Sequence, residues 1–283
     1  MNKYFFLTLF IGLFLTGEVR SQQGVLDNER PADGVLEDRT ILERTPVELP
    51  HIRQADVLWG KRLWQNIDVR KTMNQAFYFP EEPQGNYRSL MRVLQDALLD
   101  GTINAYHSDD DSFRGETLDP QALFAALSSE VVLTREDQGL PDTTVVIPFA
   151  ATQVTRFRIK EDWFIDKRHS KMDVRIVGLA PQREVRDPGT GEFIGYETLF
   201  WVPFQQARQV LVNAPVYSRF SDTQQLSFDD IFLRRFFSAT IYREQRADGR
   251  VIAEYFDSEL DRLLEAQRIR EEIRNREIDL WHY

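Results

Sequence analysis

The stretch "WGKRLWQNIDVRKTMNQAFYFPEE", Trp59 to Glu82, decides how the rest of the chain is read. It mixes aromatic rings with charges of both signs and has no glycine after Gly60. Such a segment is either an active-site loop or packing and interface chemistry. It holds no nucleophile beside a base, so covalent catalysis has nothing to start from. Its charges alternate as on the solvated face of a helix, while Trp64, Ile67, Phe77 and Phe79 pack the entrance to a folded body. Asp68 and Arg70 read as an ion pair, within the chain or across subunits. The stretch is therefore expected to be the hinge between an N-terminal arm and a globular core that starts near Asp56.

Downstream, Ser89 to Leu99 places Leu90, Val93, Leu94, Ala97 and Leu98 on one helical face, stopped by Asp100-Gly101. Asp119-Pro120 opens a second helix, with Asp119 as its cap. Val131 to Leu133 and Thr143 to Phe149 are β-branched runs, hence strands. Val154 to Lys160, Val174 to Leu179 and Leu199 to Phe204 also read as strands. Asp187-Pro188-Gly189-Thr190-Gly191 is a hairpin turn between Val185 and the run Phe193 to Tyr196. Phe204 to Val212 reads as helix. Ser227 and Asp230 form a capping box for a helix through Phe237. Residues 258–283 read as an amphipathic helix with a stripe of Leu260, Leu263, Leu264, Ile269 and Ile273, and a Glu272–Arg276 pair.

These elements make the core, 56–257, an α+β fold of mixed helices and mainly antiparallel strands. Its halves, 56–150 and 151–257, echo each other. Trp64 with Ile67-Asp68-x-Arg70 is matched by Trp163 with Ile165-Asp166-x-Arg168. In both, a helix and a tyrosine follow (Tyr106, Tyr217), then Leu118-Asp119-x-x-x-Leu123-Phe124 or Leu226-Ser227-x-x-x-Ile231-Phe232. Either an old duplication into two related lobes or the chance recurrence of common residues accounts for this.

Upstream, Lys3 precedes the apolar run "YFFLTLFIGLFLTG", and Val19-Arg20-Ser21 suits cleavage before Gln22. Residues 1–21 therefore read as a secretory signal peptide, too short in its apolar run for the ~20 residues of a comfortable membrane span. Residues 22–55 read as an extended arm, broken by Pro31, Pro46 and Pro50, in which Gly24-Val25-Leu26 recurs as Gly34-Val35-Leu36. The arm is either a plain linker or a segment whose Val25-Leu26, Val35-Leu36 and Ile41-Leu42 pairs dock on a partner.

Composition narrows the function. There is no cysteine, which excludes a disulfide framework, thiolate metal sites and a lipidated terminus. The chain carries −10 net charge, or −11 once Lys3, Glu18 and Arg20 leave with the leader. Nucleic-acid binding and adsorption to anionic lipid are both disfavoured, because each needs excess positive charge. Of the four histidines, only His107 sits in a cluster of ligand types, His107-Ser108-Asp109-Asp110-Asp111. That run lacks the glycine and distant glutamate of a calcium loop, and a solvated acidic turn is the better reading. There is no Gly-x-Ser-x-Gly elbow, and no carboxylate pair stands out. No catalytic residue, cofactor or metal is assigned. A wall-polymer hydrolase and a two-lobed solute-binding protein stay as alternatives.

What remains is interface chemistry, in which Trp, Tyr and Arg serve as anchors. The candidates are Trp59, Trp64, Arg70, the arm residues Val25, Leu26, Val35, Leu36, Ile41 and Leu42, and the terminal Trp281 and Tyr283. The terminal rings are expected to dock, on this chain's own core or on a neighbour. The competing reading is that such rings fill the core.

Three motifs point further. Trp64-x-x-Ile67-Asp68-x-Arg70-x-x-x-Asn74 with the aromatics before Pro80, Gly101 to Tyr106 ("GTINAY") and Ile278 to Tyr283 ("IDLWHY") together resemble the gliding-motility GldN/PorN family. The chain departs from the family pattern at Arg276-Glu277-Ile278-Asp279, which lacks a histidine expected there. The resemblance implies a non-enzymatic periplasmic component of the type IX secretion system, held at the inner face of the outer membrane without inserting into it. It implies a ring shared with a GldK/PorK-type outer-membrane lipoprotein. It also implies contact with the periplasmic part of a GldM/PorM-type motor protein.

Overall fold

The computed structural model describes residues 44–133, 143–187, 189–217 and 226–280. The stretch that opened the sequence is not a helix face. Val57–Asp68 forms a twelve-residue strand, β1, followed by a 3-10 turn at Thr72–Phe77. Then come α1 (Leu90–Leu99), β2 (Ala105–Tyr106), β3 (Thr117–Leu118) and α2 (Pro120–Leu127). A hairpin of β4 (Ser129–Leu133) and β5 (Thr143–Ile147) leads to the long strands β6 (Val154–Asp166) and β7 (Lys171–Arg186). β8 (Phe193–Thr198), β9 (Val202–Pro203), α3 (Phe204–Leu211), β10 (Pro215–Val216), β11 (Leu226–Ser227) and α4 (Phe228–Leu233) follow. β12 (Ala239–Glu244) and α5 (Glu259–Asp279) complete the order.

The main sheet is antiparallel, in the order β12-β1-β6-β7-β8, with β9 also paired to β7. β1 lies inside it, and side chains of both its faces are buried: Leu63, Gln65 and Ile67 on one, Trp64 on the other. A strand covered on both faces loses the apolar–polar alternation that would mark it, which is why its charges looked helical. Those charges are in use. Arg62 is bidentate to Asp162 at 2.5 and 2.7 Å, and Lys61 reaches Glu244 at 2.6 Å.

The helices form where caps and periodicity place them. Ser89 caps α1, and all five apolar residues expected on its face are buried. Gly101, at φ +69°, ends it. Asp119 caps α2, and the Ser227–Asp230 box caps α4. The Asp187 hairpin turn joins β7 to β8, its carboxylate accepting from Gly189 and Thr190. Two expectations overran. α4 stops at Leu233 because Arg235 turns left-handed at φ +56°, and of Leu199 to Phe204 only Val202–Pro203 is strand.

From α1 and from α3 onward the halves run in the same order of helix, two-residue ladder and capped helix, but four strands precede α3 where β1 alone precedes α1. β2 pairs β3 between α1 and α2, as β10 pairs β11 between α3 and α4. Asp68 and Asp166 each accept the amide two residues on, at 3.0 and 2.8 Å. They do not stand apart as two lobes. One apolar cluster takes Ile67, Leu94 and Phe124 from the first half and Phe157, Leu211 and Phe232 from the second. At its centre Phe77 touches Phe157, Phe228, Phe232 and Phe237. A buried ion pair, Arg208–Asp229 at 2.9 Å, ties α3 to α4.

A second cluster lies farther along the same sheet face, under α5, with Leu63, Ile241, Ala266, Ile269 and Ile273. Here the expected stripe divides. Ile269 and Ile273 are buried, but Leu260, Leu263 and Leu264 are 64%, 50% and 56% exposed. At 100° per residue those leucines lie on the far side of the helix from the buried pair. Glu272 meets Lys61 and Arg268, while Arg276 stacks over the Trp59 ring at 5.1 Å.

The last part of the expected arm lies on the folded body. The Arg44 amide donates to Asn213 at 2.9 Å, its guanidinium to Asp230 at 3.1 Å, and Arg175 reaches the Pro50 carbonyl. Residues 1–43, with the leader and the Val25-Leu26, Val35-Leu36 and Ile41-Leu42 pairs, fall outside the described residues, as do Trp281 and Tyr283.

Candidate interaction surfaces

Two consecutive residues of β6 carry buried charge to opposite faces of the sheet. Lys160 is 4% exposed and Glu161 0%. On the Lys160 face, the loop after β2 folds over the sheet. Lys160 donates to the Asp111 carbonyl at 2.6 Å and lies 3.4 Å from its carboxylate. That carboxylate accepts the Trp64 indole N–H at 2.7 Å. Trp201 donates to Ser108 in the same loop at 3.0 Å. Phe113, at φ +59°, lays its ring against Gly178, where a Cβ would meet Phe113 Cζ at 2.7 Å. Burial pulls Lys160 below its ordinary value, with Asp111 acting against it. Tyr242, in the same cluster, is pushed up to about 12 by burial.

The acidic run His107–Asp111 is thus dispersed rather than convergent. Asp109 is fully in solvent, 3.7 Å from His107. Asp110 folds its own loop, accepting from Ser112 and Gly115. Asp111 is turned in to Trp64 and Lys160, so the solvated-turn reading fails for that one residue. Among the described residues no group of three or more metal-ligating side chains comes together.

On the other face, Glu161 accepts from Gln65 at 2.6 Å, Trp163 at 3.0 Å and Arg235 at 2.8 and 3.3 Å. This network sits between the two apolar clusters. The left-handed Arg235 places its guanidinium there, 4.9 Å from the Trp163 ring.

The predicted anchors take different places. Trp64 is 4% exposed and engaged inside the protein. Phe79, expected to pack, is 47% exposed. Trp59 is half-buried under Arg276. Arg70 is exposed but holds Asp68 at 2.7 Å, Glu184 at 2.9 Å and the Tyr196 hydroxyl at 2.7 Å. The ion pair with Asp68 is therefore intramolecular. Burial alone would raise Asp68, but the bonds from Arg70 and the charge of Arg156 bring it below its ordinary value.

Sequence reasoning missed other apolar surface. β8 is an edge strand of the main sheet, with Phe193 and Ile194 exposed; β5 exposes Val146 and Ile147. The outward leucines of α5 are a third patch. Among the described residues no helix is long and apolar enough to cross a membrane.

A model of the family described as gliding motility associated protein GldN matches residues 52–282. No curated protein matches the chain. The match spans most of the sequence, and the chain belongs to the GldN family, a component of gliding motility and type IX secretion.

Proposed function

We propose that this GldN-family chain is a non-enzymatic periplasmic subunit of the secretion and gliding machinery. It forms a ring with an outer-membrane lipoprotein and meets the periplasmic part of an inner-membrane motor protein. The family match over residues 52–282 carries the reading. The surfaces agree with it: exposed apolar residues lie on a sheet edge, a hairpin and a helix, which are elements that proteins use for pairing with other chains. Arg62, Lys160 and Glu161 of the sheet are engaged in structural ion pairs with Asp162, Asp111 and Arg235. The arm read at residues 22–55 docks on the lipoprotein, through the apolar pairs Val25-Leu26, Val35-Leu36 and Ile41-Leu42 that precede Arg44.

Affinity purification from detergent-solubilised envelopes tests this. The chain should bring down an outer-membrane lipoprotein in a large assembly, and removal of residues 22–43 should weaken that association. A chain that stays monomeric, with no lipoprotein crosslinked to it in whole envelopes, would sink the proposal.

A further inference from the structure

A cleft of about 230 Å³ opens between α5, the end of α4 and the β12–β1–β6 face of the sheet. Its floor is apolar: Leu63, Ile241 and Ile273 are each under 5% exposed. Its mouth is cationic, lined by Arg270 and Arg274 of α5 and by Arg235, with Glu277 as the one acid among them. The charge on Arg235 is met by Glu161. Arg270 and Arg274 differ. Arg270 donates to the Ala239 carbonyl at 2.7 Å, which fixes its guanidinium at the cleft, and neither residue has a carboxylate partner among the described residues. Arg268, on the same helix, is held by Glu265 and Glu272.

Arg270 and Arg274, with no carboxylate partner among the described residues and at the rim of an apolar hollow, leave a local positive site ready for an outside carboxylate. The volume lies below the roughly 300–1,000 Å³ of small-molecule pockets, so a side chain or two fills it.

We infer that this cleft is a socket for an acidic segment of a partner protein. The segment sets an aliphatic side chain on Leu63, Ile241 and Ile273 and a neighbouring carboxylate on Arg270 and Arg274. The socket does not rest on the ring assembly, because the isolated chain and a short peptide suffice to measure it.

The test is fluorescence anisotropy with the full chain and a fluorescein-labelled peptide in which leucine alternates with glutamate. A glutamine-for-glutamate peptide is the control. The acidic peptide should bind, more weakly as salt rises, and the control should not. Arg270→Gln with Arg274→Gln should weaken binding by roughly tenfold or more, the cost of losing charge-assisted hydrogen bonds. Arg268→Gln should leave it unchanged. Equal binding of both peptides, or no effect of the double variant, overturns the inference. So does binding of inorganic phosphate with the same arginine dependence when the peptide fails, which would make the cleft a free-anion site. Self-association in sedimentation that the double variant abolishes and the peptide cannot compete with would instead assign the socket to a second copy, and likewise overturn it.

Discussion

Lys160 and Glu161 are neighbours in β6, both buried, and the protein treats them differently. Glu161 is saturated: an arginine, a glutamine and an indole point at one carboxylate. Lys160 meets a carbonyl at 2.6 Å, a carboxylate at 3.4 Å shared with Trp64, and the Trp64 and Phe113 rings at 5.6 and 5.9 Å. The first joins two apolar clusters of the core. The second latches a loop that comes from far along the chain. A buried charge that is fully paired anchors structure, whereas one that is partly paired carries a desolvation cost.

The largest break in this comparison should come from Arg235→Ala, which leaves Glu161 buried without its cation. A loss of about 3–5 kcal/mol in urea unfolding is expected, and under 1 would mean that Gln65 and Trp163 suffice alone. Gly178→Ala should come next, at about 2 kcal/mol, because a Cβ there drives into Phe113 and Trp201. Limited proteolysis should then cut the 107–116 loop faster while the rest of the protein resists.

Lys160→Met should cost only about 1 kcal/mol, since it removes a desolvated ammonium while Asp111 keeps Trp64. Its pH signature is sharper. The folded chain holds the Lys160 proton less tightly than the unfolded chain does. Stability therefore rises as pH climbs from the folded value to the ordinary lysine value, and Lys160→Met should abolish that rise. Tyr242 acts the other way, because the folded chain keeps its proton longer. The difference between wild type and variant isolates the lysine.

Arg70→Ala should have the smallest effect, about 0.5 kcal/mol, because the guanidinium is 57% exposed. Asp68 lies below its ordinary value, so its contribution is complete above the ordinary carboxylate range and disappears as pH falls through the folded value. The variant should lose less stability on acidification than wild type, measured as urea midpoints.

Local signals were legible where chemistry is local. The caps at Asp119 and Ser227, the stop at Gly101 and the Asp187 turn all stood where residue type placed them. The α1 face was read residue by residue. β1 was not, because coverage on both faces removes the alternation by which strands are recognised. The leucines of α5 were grouped with Ile269 and Ile273 by residue type, though helical spacing puts them on the opposite side. No sequence signal pairs Arg235 with Glu161 or Arg208 with Asp229, since those partners meet only across folded elements. Family motifs found the family; they gave no indication of the cationic cleft.

By itself the sequence determined the class of fold, the capped helices and the family. Each follows from contacts within a few residues or from a pattern read along the chain. Only the tertiary structure decided that Trp59 to Asp68 is a strand within the sheet, that Trp64 and Asp111 close a loop over Lys160, and that Arg270 and Arg274 of α5 stand at an apolar hollow with no carboxylate partner among the described residues. Those depend on which distant side chains share a desolvated space. In that space a charge becomes an anchor, a latch or a binding group according to the partner it meets.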